Sequence, residues 1–388
     1  VSGSSVKIAA AISTEHDPLH AAVEASSAAA QALAGTPVDL ALVFASGSHL
    51  AAPEATLEGV QSVLSPATMA GCGSGGVLGC GRELESVTAL AVWAAAFGGA
   101  GEAVPFHAAP GADGQELAGI PELAGASATI VLADPYSFPA DRLLAELASA
   151  QPHVPVLGGV ASARTPEGGG ALFFGEEVRE QGAVGVTLHG IDVLPCVSQG
   201  AAPLGREVTI TAAEGNVINE LAGRPALETV EQIIAELPLH ERALIAGGLL
   251  IGIVIDGGKP EYEQGDFLVR GVLGAEPETG SLLVGAHVRE GQVVRLHARD
   301  AASADDDLRR ALRGRLGGRS GAVAGALLFS CNGRGRAMFG ACDHDARAVE
   351  RELGGVPAAG FFAAGEIGPV GNRSFLHGFT ATVAVFPA

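Results

Sequence analysis

The sequence predicts an α+β fold built from repeated strand-helix-strand-strand units, arranged as a layered αββα-type sandwich in two halves. Three observations predict it. Short apolar runs of strand type alternate with helical stretches along the chain. Hairpin turns and strand pairs recur inside these units, which argues against a doubly wound parallel sheet. The same order of elements also returns: the glycine-rich strings MAGCGSGGVLGCG and AAGFFAAGEIGPVG each follow a proline and precede a strand, the mark of internal duplication.

In the first unit, residues 19–35 are rich in small and apolar side chains and read as a helix, stopped by Gly35, Thr36 and Pro37. Residues 39–45 form a continuous apolar strand suited to burial on both faces. A second helix over residues 53–64 leads to Pro66 and the first glycine-rich string. Residues 87–97 fit strand or helix by pattern, and comparison with the later copies favours strand. In the second unit, residues 128–133 read as a strand and 141–149 as a helix capped by Asp141 or a neighbour. VPVLGGVASA reads as another strand, and ALFF with GAVGVTLHG as a hairpin. The third unit runs ALLFS, a helix over about 345–353, VPAAGFFAAGEIGP and FLHGFTATVAVF.

Between the second and third units lies a segment of different character. EVTITAAEGNVINELAGRPALETVEQIIAEL offers a strand, a turn at residues 214–216 and two helical stretches separated near residues 223–225. Strands over residues 249–255, 266–272 and 293–298 follow, joined by glycine-rich turns. Pro195, Gly200 and Pro203 place the expected domain boundary here, giving domains 1–197 and 198–388.

The 388 residues suffice for two or three domains, and 48% are apolar, so a large core is available. With 43 acidic and 23 basic residues the net charge is −20, which repels a phosphate backbone or an anionic bilayer; neither nucleic acid nor membrane is expected as a partner. The longest apolar runs are interrupted or shorter than the ~18 residues of a spanning helix, and the N-terminus lacks a basic stretch followed by an apolar one, so no secretory signal is expected. Five cysteines at 72, 80, 196, 331 and 342 show no framework spacing and suit reduced thiols in a cytoplasmic monomer or small homo-oligomer.

Candidate site residues gather in the last third of the chain. An apolar strand delivers Ser330, Cys331, Asn332 and Arg334 onto a glycine turn. A second run sets Phe361, Phe362, Glu366, Asn372, Arg373, Phe375 and His377 among glycines that let a backbone approach a ligand. Cys331, Asn332, Glu366, Asn372 and His377 are expected to line one cavity. Glu366 stands among small apolar residues and needs a partner, either an internal arginine such as Arg334 or Arg373, or a ligand amine whose accompanying carboxylate an arginine holds. Cys331 and His377, oriented by Glu366 or Asn372, offer a nucleophile and base. AGCGSGGVLGCG lacks the GKS or GKT ending of a phosphate loop, Cys72 and Cys80 lack paired zinc spacing, and in CDHDAR the carboxylates of Asp343 and Asp345 read as helix caps. No metal or cofactor is expected. Without CxxCH, haem is possible only noncovalently, with His189 or His377 as axial ligand.

The strings LLFSCNGRG, GFFAAGEIGPVG and FLHGFTATVAVF, with GDFLVRGVLG and GQVVRLHARDA, resemble the C-terminal half of the FIST sensory proteins, named for F-box and intracellular signal transduction. VDLALVFASGSHL, AGCGSGGVLG and GAVGVTLHG resemble the N-terminal half. The resemblance implies small-ligand binding, and an association of some members with haem. The expected function is a small-ligand-binding sensory protein, its pocket mainly in the C-terminal half, its ligand amino-acid-like, and its signal passed to a separate partner because no output region is visible. The alternatives are a Cys331–His377 hydrolase or transferase, a noncovalent haem sensor, and a ligand-free interaction module.

Overall fold

The structure, a computed structural model, describes residues 6–111, 116–163, 170–317 and 322–388. The chain divides into two compact units. The first comprises Val1–Val197, Leu308–Leu376 and Ala381–Ala388; the second comprises Ser198–Asp307 and His377–Thr380. Among the described residues the fold is mixed α/β, with eight α-helices and four β-sheets. No helix among them is long and apolar enough to cross a membrane.

Three of the sheets belong to the first unit, and each contains one parallel pair flanked by an antiparallel strand. Leu40–Ser46 runs parallel to Thr68–Ser74 and antiparallel to Ala89–Ala96. Ala128–Ala133 runs parallel to Val156–Val160 and antiparallel to Ala183–His189. Val323–Cys331 runs parallel to Ala358–Ala363 and antiparallel to Thr380–Pro387. A helix joins the members of each parallel pair: Pro53–Leu64, Ala140–Ala150 and His344–Glu352 respectively. One glycine recurs at the matching register position of each second strand. A Cβ on Gly71 would lie 2.0 Å from the Val43 carbonyl oxygen, on Gly158 1.9 Å from that of Val131, and on Gly360 1.7 Å from that of Leu328. No side chain fits so close to a backbone oxygen, so glycine is obligatory at all three.

The side-chain period of two sorts the third sheet cleanly. Leu327, Phe329, Ala359, Phe361, Ala384 and Phe386 join the central core, whereas Leu328, Ala358, Phe362, Val383 and Val385 pack with Leu308, Leu312, Ala348 and Val349 from two helices. In the central core Phe44 stacks on Phe361 with centroids 5.2 Å apart and Trp93 meets Phe386 at 5.0 Å. On the first sheet, helix Pro18–Ala32 starts at Asp17, whose carboxylate accepts the His20 N–H at 2.9 Å, and buries Ala21, Ala22, Ala25 and Ala29. These small residues let helix Pro53–Leu64 come close: a Cβ on Gly59 would lie 2.5 Å from that of Ala22.

The second unit is built on a seven-stranded sheet in which Ala201–Glu214, Val293–Arg299, Leu249–Val254, Phe267–Glu276 and Ser281–Val284 pair antiparallel in that order. Helix Ala226–Glu236 lays Val230 and Ile233 against it, in a core with Leu204, Ile251 and Leu296.

The structure corrects several local expectations. The first helical stretch expected after the turn at residues 214–216 is the strand Val217–Leu221; Gly215, at φ 60°, turns the chain back so that this segment pairs with Ala201–Glu214. The expected hairpin of ALFF with GAVGVTLHG does not form. Leu172–Phe174 joins the first sheet beside Thr68–Ser74 and turns into Glu177–Arg179, while Ala183–His189 joins the second. Of the expected cap at Asp141 or a neighbour, the N-cap position of Ala140–Ala150 falls to Pro139, without a side-chain capping bond, and Asp141 lies in the first turn. The helix Ala301–Leu316 had no counterpart in the sequence reading.

Candidate functional site

A cleft of about 540 Å³ opens in the first unit. Its lining comes from the carboxyl ends of strands in all three sheets. Gly47 and Leu50 follow Leu40–Ser46, Ser74 and Gly75 end Thr68–Ser74, Ser162 follows Val156–Val160, Asn332 follows Val323–Cys331, and Phe362 closes Ala358–Ala363. Glu85 and Ser86, at the end of the short strand Arg82–Glu85, complete it. In α/β sheets the carboxyl ends of parallel strands are where ligands are held, and the volume is that of a small-molecule site.

The walls are fastened to one another by hydrogen bonds. The Ser162 hydroxyl donates to the Phe362 carbonyl and accepts the Gly75 N–H at 2.9 Å, tying the second, third and first sheets together at one side chain. The Ser86 N–H donates to the Gly75 carbonyl at 3.0 Å, and the Asn332 N–H to that of Ala363 at 2.9 Å. Among the described lining residues, Glu85 supplies the charged group, with hydroxyls and the Asn332 carboxamide around it. Chemically, such a surface can accept hydrogen bonds from a positively charged donor.

Two residues beyond Asn332, the Arg334 side chain is 1% exposed. Asp345 holds it with a two-point pair, and also accepts the Ser330 hydroxyl at 2.7 Å and a hydrogen bond from the His344 ring at 2.9 Å. Burial works against the Arg334 charge, but Asp345, with Cys331 and Glu366 contributing, more than offsets it and raises the guanidinium pKa. Burial likewise opposes ionisation of Asp345, yet the charge and hydrogen bonds of Arg334, with those of His344 and Ser330, hold its carboxyl well below the usual range.

The hairpin of Gly76–Gly79 and Arg82–Glu85 reaches the same place from the other end of the sequence. Glu83 accepts the N–H groups of Asp345 and Ala346 at 2.7 and 3.0 Å, capping helix His344–Glu352, while Asp343 accepts the Glu83 N–H at 2.8 Å. Glu85, which lines the cleft, accepts the Arg336 N–H at 2.8 Å at the start of the short helix Gly335–Phe339. Of the two expected caps, Asp343 stands at the N-cap position but makes no side-chain capping bond, Asp345 is spent on Arg334, and the first amides of the helix are held from a distant strand. Burial, then the nearby Asp345 charge, pushes the Glu83 carboxyl up to about 7.

Of the residues singled out in the sequence, Asn332 and Phe362 line the cleft. Ser330 and Arg334 meet at Asp345. Cys331 is buried, and its sulfur accepts the Gly333 N–H at 3.4 Å. Phe361 belongs to the central core. Glu366 is fully buried on strand Gly365–Val370, opposite Gly159. Asn372 is exposed in the following turn, and Arg373 lies over the Phe375 ring at 5.7 Å. His377 falls in the second unit. Among the described residues no cysteine is in a disulfide. Sequence reasoning missed Glu83, Glu85, Ser74 and Ser162. Each serine ends or follows an apolar strand, and the two glutamates alternate around Leu84 in RELE, a strand signal that was there to be read.

Residues 39–224 match the FIST N domain and residues 226–369 the FIST C domain. The chain is 42% identical over 382 residues to the uncharacterized protein Rv0628c of Mycobacterium tuberculosis, covering 98% of this chain and 100% of that one. It is 40% identical over 382 residues to the uncharacterized protein Mb0898c of Mycobacterium bovis, covering 98% and 99%.

Proposed function

The chain belongs to the FIST family, its FIST N and FIST C domains together reaching from residue 39 to 369, and we propose that it is a cytoplasmic, small-ligand-binding sensory protein of that type. The ligand is amino-acid-like and occupies the cleft, and a separate protein partner receives the signal. The observation that carries this reading is the convergence of strand carboxyl ends from three sheets on one cleft of ligand size, with Glu85 available to an amine and hydroxyl and carboxamide groups available to the rest. The nucleophilic alternative has weaker support, because the Cys331 thiol is buried. In architecture, we read the first unit as the layered αββα-type arrangement of repeated halves, supported by the pairing pattern and by the three matched glycines.

The test is a thermal-shift screen of the purified chain against free amino acids and their amines, with an Asn332→Trp variant that fills the cleft from an exposed position. A ligand that binds only the folded state raises the melting temperature with the logarithm of its concentration once that exceeds Kd. The expected result is a shift with at least one compound of this class, abolished by the variant. No shift across the class, or a shift that survives in Asn332→Trp, would overturn the reading.

A further inference from the structure

Charge singles out one surface of the first unit. Acidic residues outnumber basic ones 43 to 23 over the whole chain, whereas the helices covering the third sheet carry six arginines and six carboxylates, with Asp305, Asp306 and Asp307 in the first half of one and the arginines in its second half. Between Leu308 and Leu316 every charged residue is an arginine: Arg309, Arg310, Arg313 and Arg315. Helix His344–Glu352, packed in the same apolar cluster, adds the exposed Arg347 and Arg351. The carboxylates nearby are largely consumed. Glu352 is only 11% exposed, drawn between Arg309 at 3.3 Å and Arg313 at 2.7 Å, while Arg313 itself remains 67% exposed. Asp343, 16% exposed, stands at the N-cap without a side-chain capping bond; its carboxylate pairs with Arg347 and accepts the Glu83 N–H.

We infer that this arginine face is the docking surface for an acidic segment of a partner protein. Guanidinium groups present a planar fork that matches carboxylates two atoms at a time, and for a short segment lying on these helices the charges within the ~8 Å screening length at physiological salt dominate. A long phosphate backbone would meet the field of the rest of the molecule, set by a net charge of −20. The face also has a physical connection to the cleft. Helix His344–Glu352 is capped by Glu83, and Glu85, two residues along the same strand, lines the cleft. A ligand that draws on the Glu85 carboxylate pulls on the strand that holds this helix. The inference rests on the sensory reading for its purpose, but its test needs no cleft ligand, so the two can fail separately.

The experiment measures fluorescence anisotropy of a labelled oligoglutamate peptide with the full chain at near-physiological salt. It compares wild type with Arg315→Glu/Arg351→Glu, which leaves the Glu352 clamp in place, and with Arg206→Glu/Arg224→Glu in the second unit as a charge-matched control. Circular dichroism confirms that each is folded. The expected result is salt-sensitive binding that falls about tenfold or more in the first double variant and is unchanged in the control. Absence of binding, an equal loss in both variants, tighter binding of a single-stranded oligodeoxynucleotide of the same length, or self-association of the chain through the same arginines would overturn it.

Discussion

Asp345 and Arg334 form a buried two-point pair, Nε to Oδ2 at 2.7 Å and Nη2 to Oδ1 at 2.9 Å, with side chains 0% and 1% exposed. Removing one member leaves the other's charge stranded in a medium that cannot solvate it. Asp345→Asn should therefore cost about 3 to 5 kcal/mol. Urea unfolding of the two proteins checks this, and a loss under about 1 kcal/mol would show that the pair is not the anchor its burial implies.

Because Asp345 is the two-point partner of Arg334, Glu366→Gln should be the milder change. The amide keeps the shape of the side chain and removes a charge that burial disfavours, so its stability cost should fall well below that of Asp345→Asn. Should Glu366 also contact the ligand, affinity drops by roughly tenfold to a hundredfold. Parallel unfolding curves and titrations of both variants separate the two effects.

Glu83 gives a pH dependence with a definite sign. Burial, then the Asp345 charge, pushes the Glu83 carboxyl up to about 7 in the folded protein from an ordinary value of 4.5. Between these values the folded chain keeps a proton that the unfolded chain has released, so the stabilisation is complete below about 4.5 and is lost as pH rises through about 7. The size is on the order of 3 kcal/mol. Asp345 is already ionised across this window, since its pKa is lowered. Glu83→Gln should flatten this part of the stability–pH profile, and a variant profile as steep as wild type would refute the assignment.

Gly360 tests the close approach of the parallel strands. An alanine methyl there would sit 1.7 Å from the Leu328 carbonyl oxygen, a clash only backbone movement can relieve. Gly360→Ala should cost about 3 kcal/mol or more, and Gly371→Ala, with nothing within 4 Å of its Cβ, should instead show only the milder strain of its φ of 60°. Thermal unfolding of the pair distinguishes packing from backbone preference.

Much of this was legible in the chain. Strands such as Leu40–Ser46 and Ala128–Ala133 announced themselves as unbroken apolar runs, because both their faces are buried. Asn332 and Phe362 were found because a strand ending in a polar glycine turn marks where a fold displays side chains. What stayed hidden depends on contacts between distant segments. Nothing local distinguishes Glu83 from a solvated strand glutamate, since its role lies in two amides more than 260 residues away. The strand Val217–Leu221 differs from the helical expectation because its β-branched Val217 and Ile218 favour a strand and its partners, Ala201–Glu214 and Ser281–Val284, complete the pairing on both sides.

The strand order of the first unit has a consequence for how the molecule is made. Gly76–Gly79, from the FIST N segment, pairs with Ala358–Ala363 from the FIST C segment, and Val156–Val160 from the former pairs with Gly365–Val370 from the latter. Cutting the chain between residues 224 and 226 would leave each fragment with raw sheet edges, open to pairing with any passing strand. During synthesis the first fragment emerges with those edges unclosed and must wait for the last residues to arrive. Fragments expressed separately should be insoluble, and fragments expressed together should recover one another.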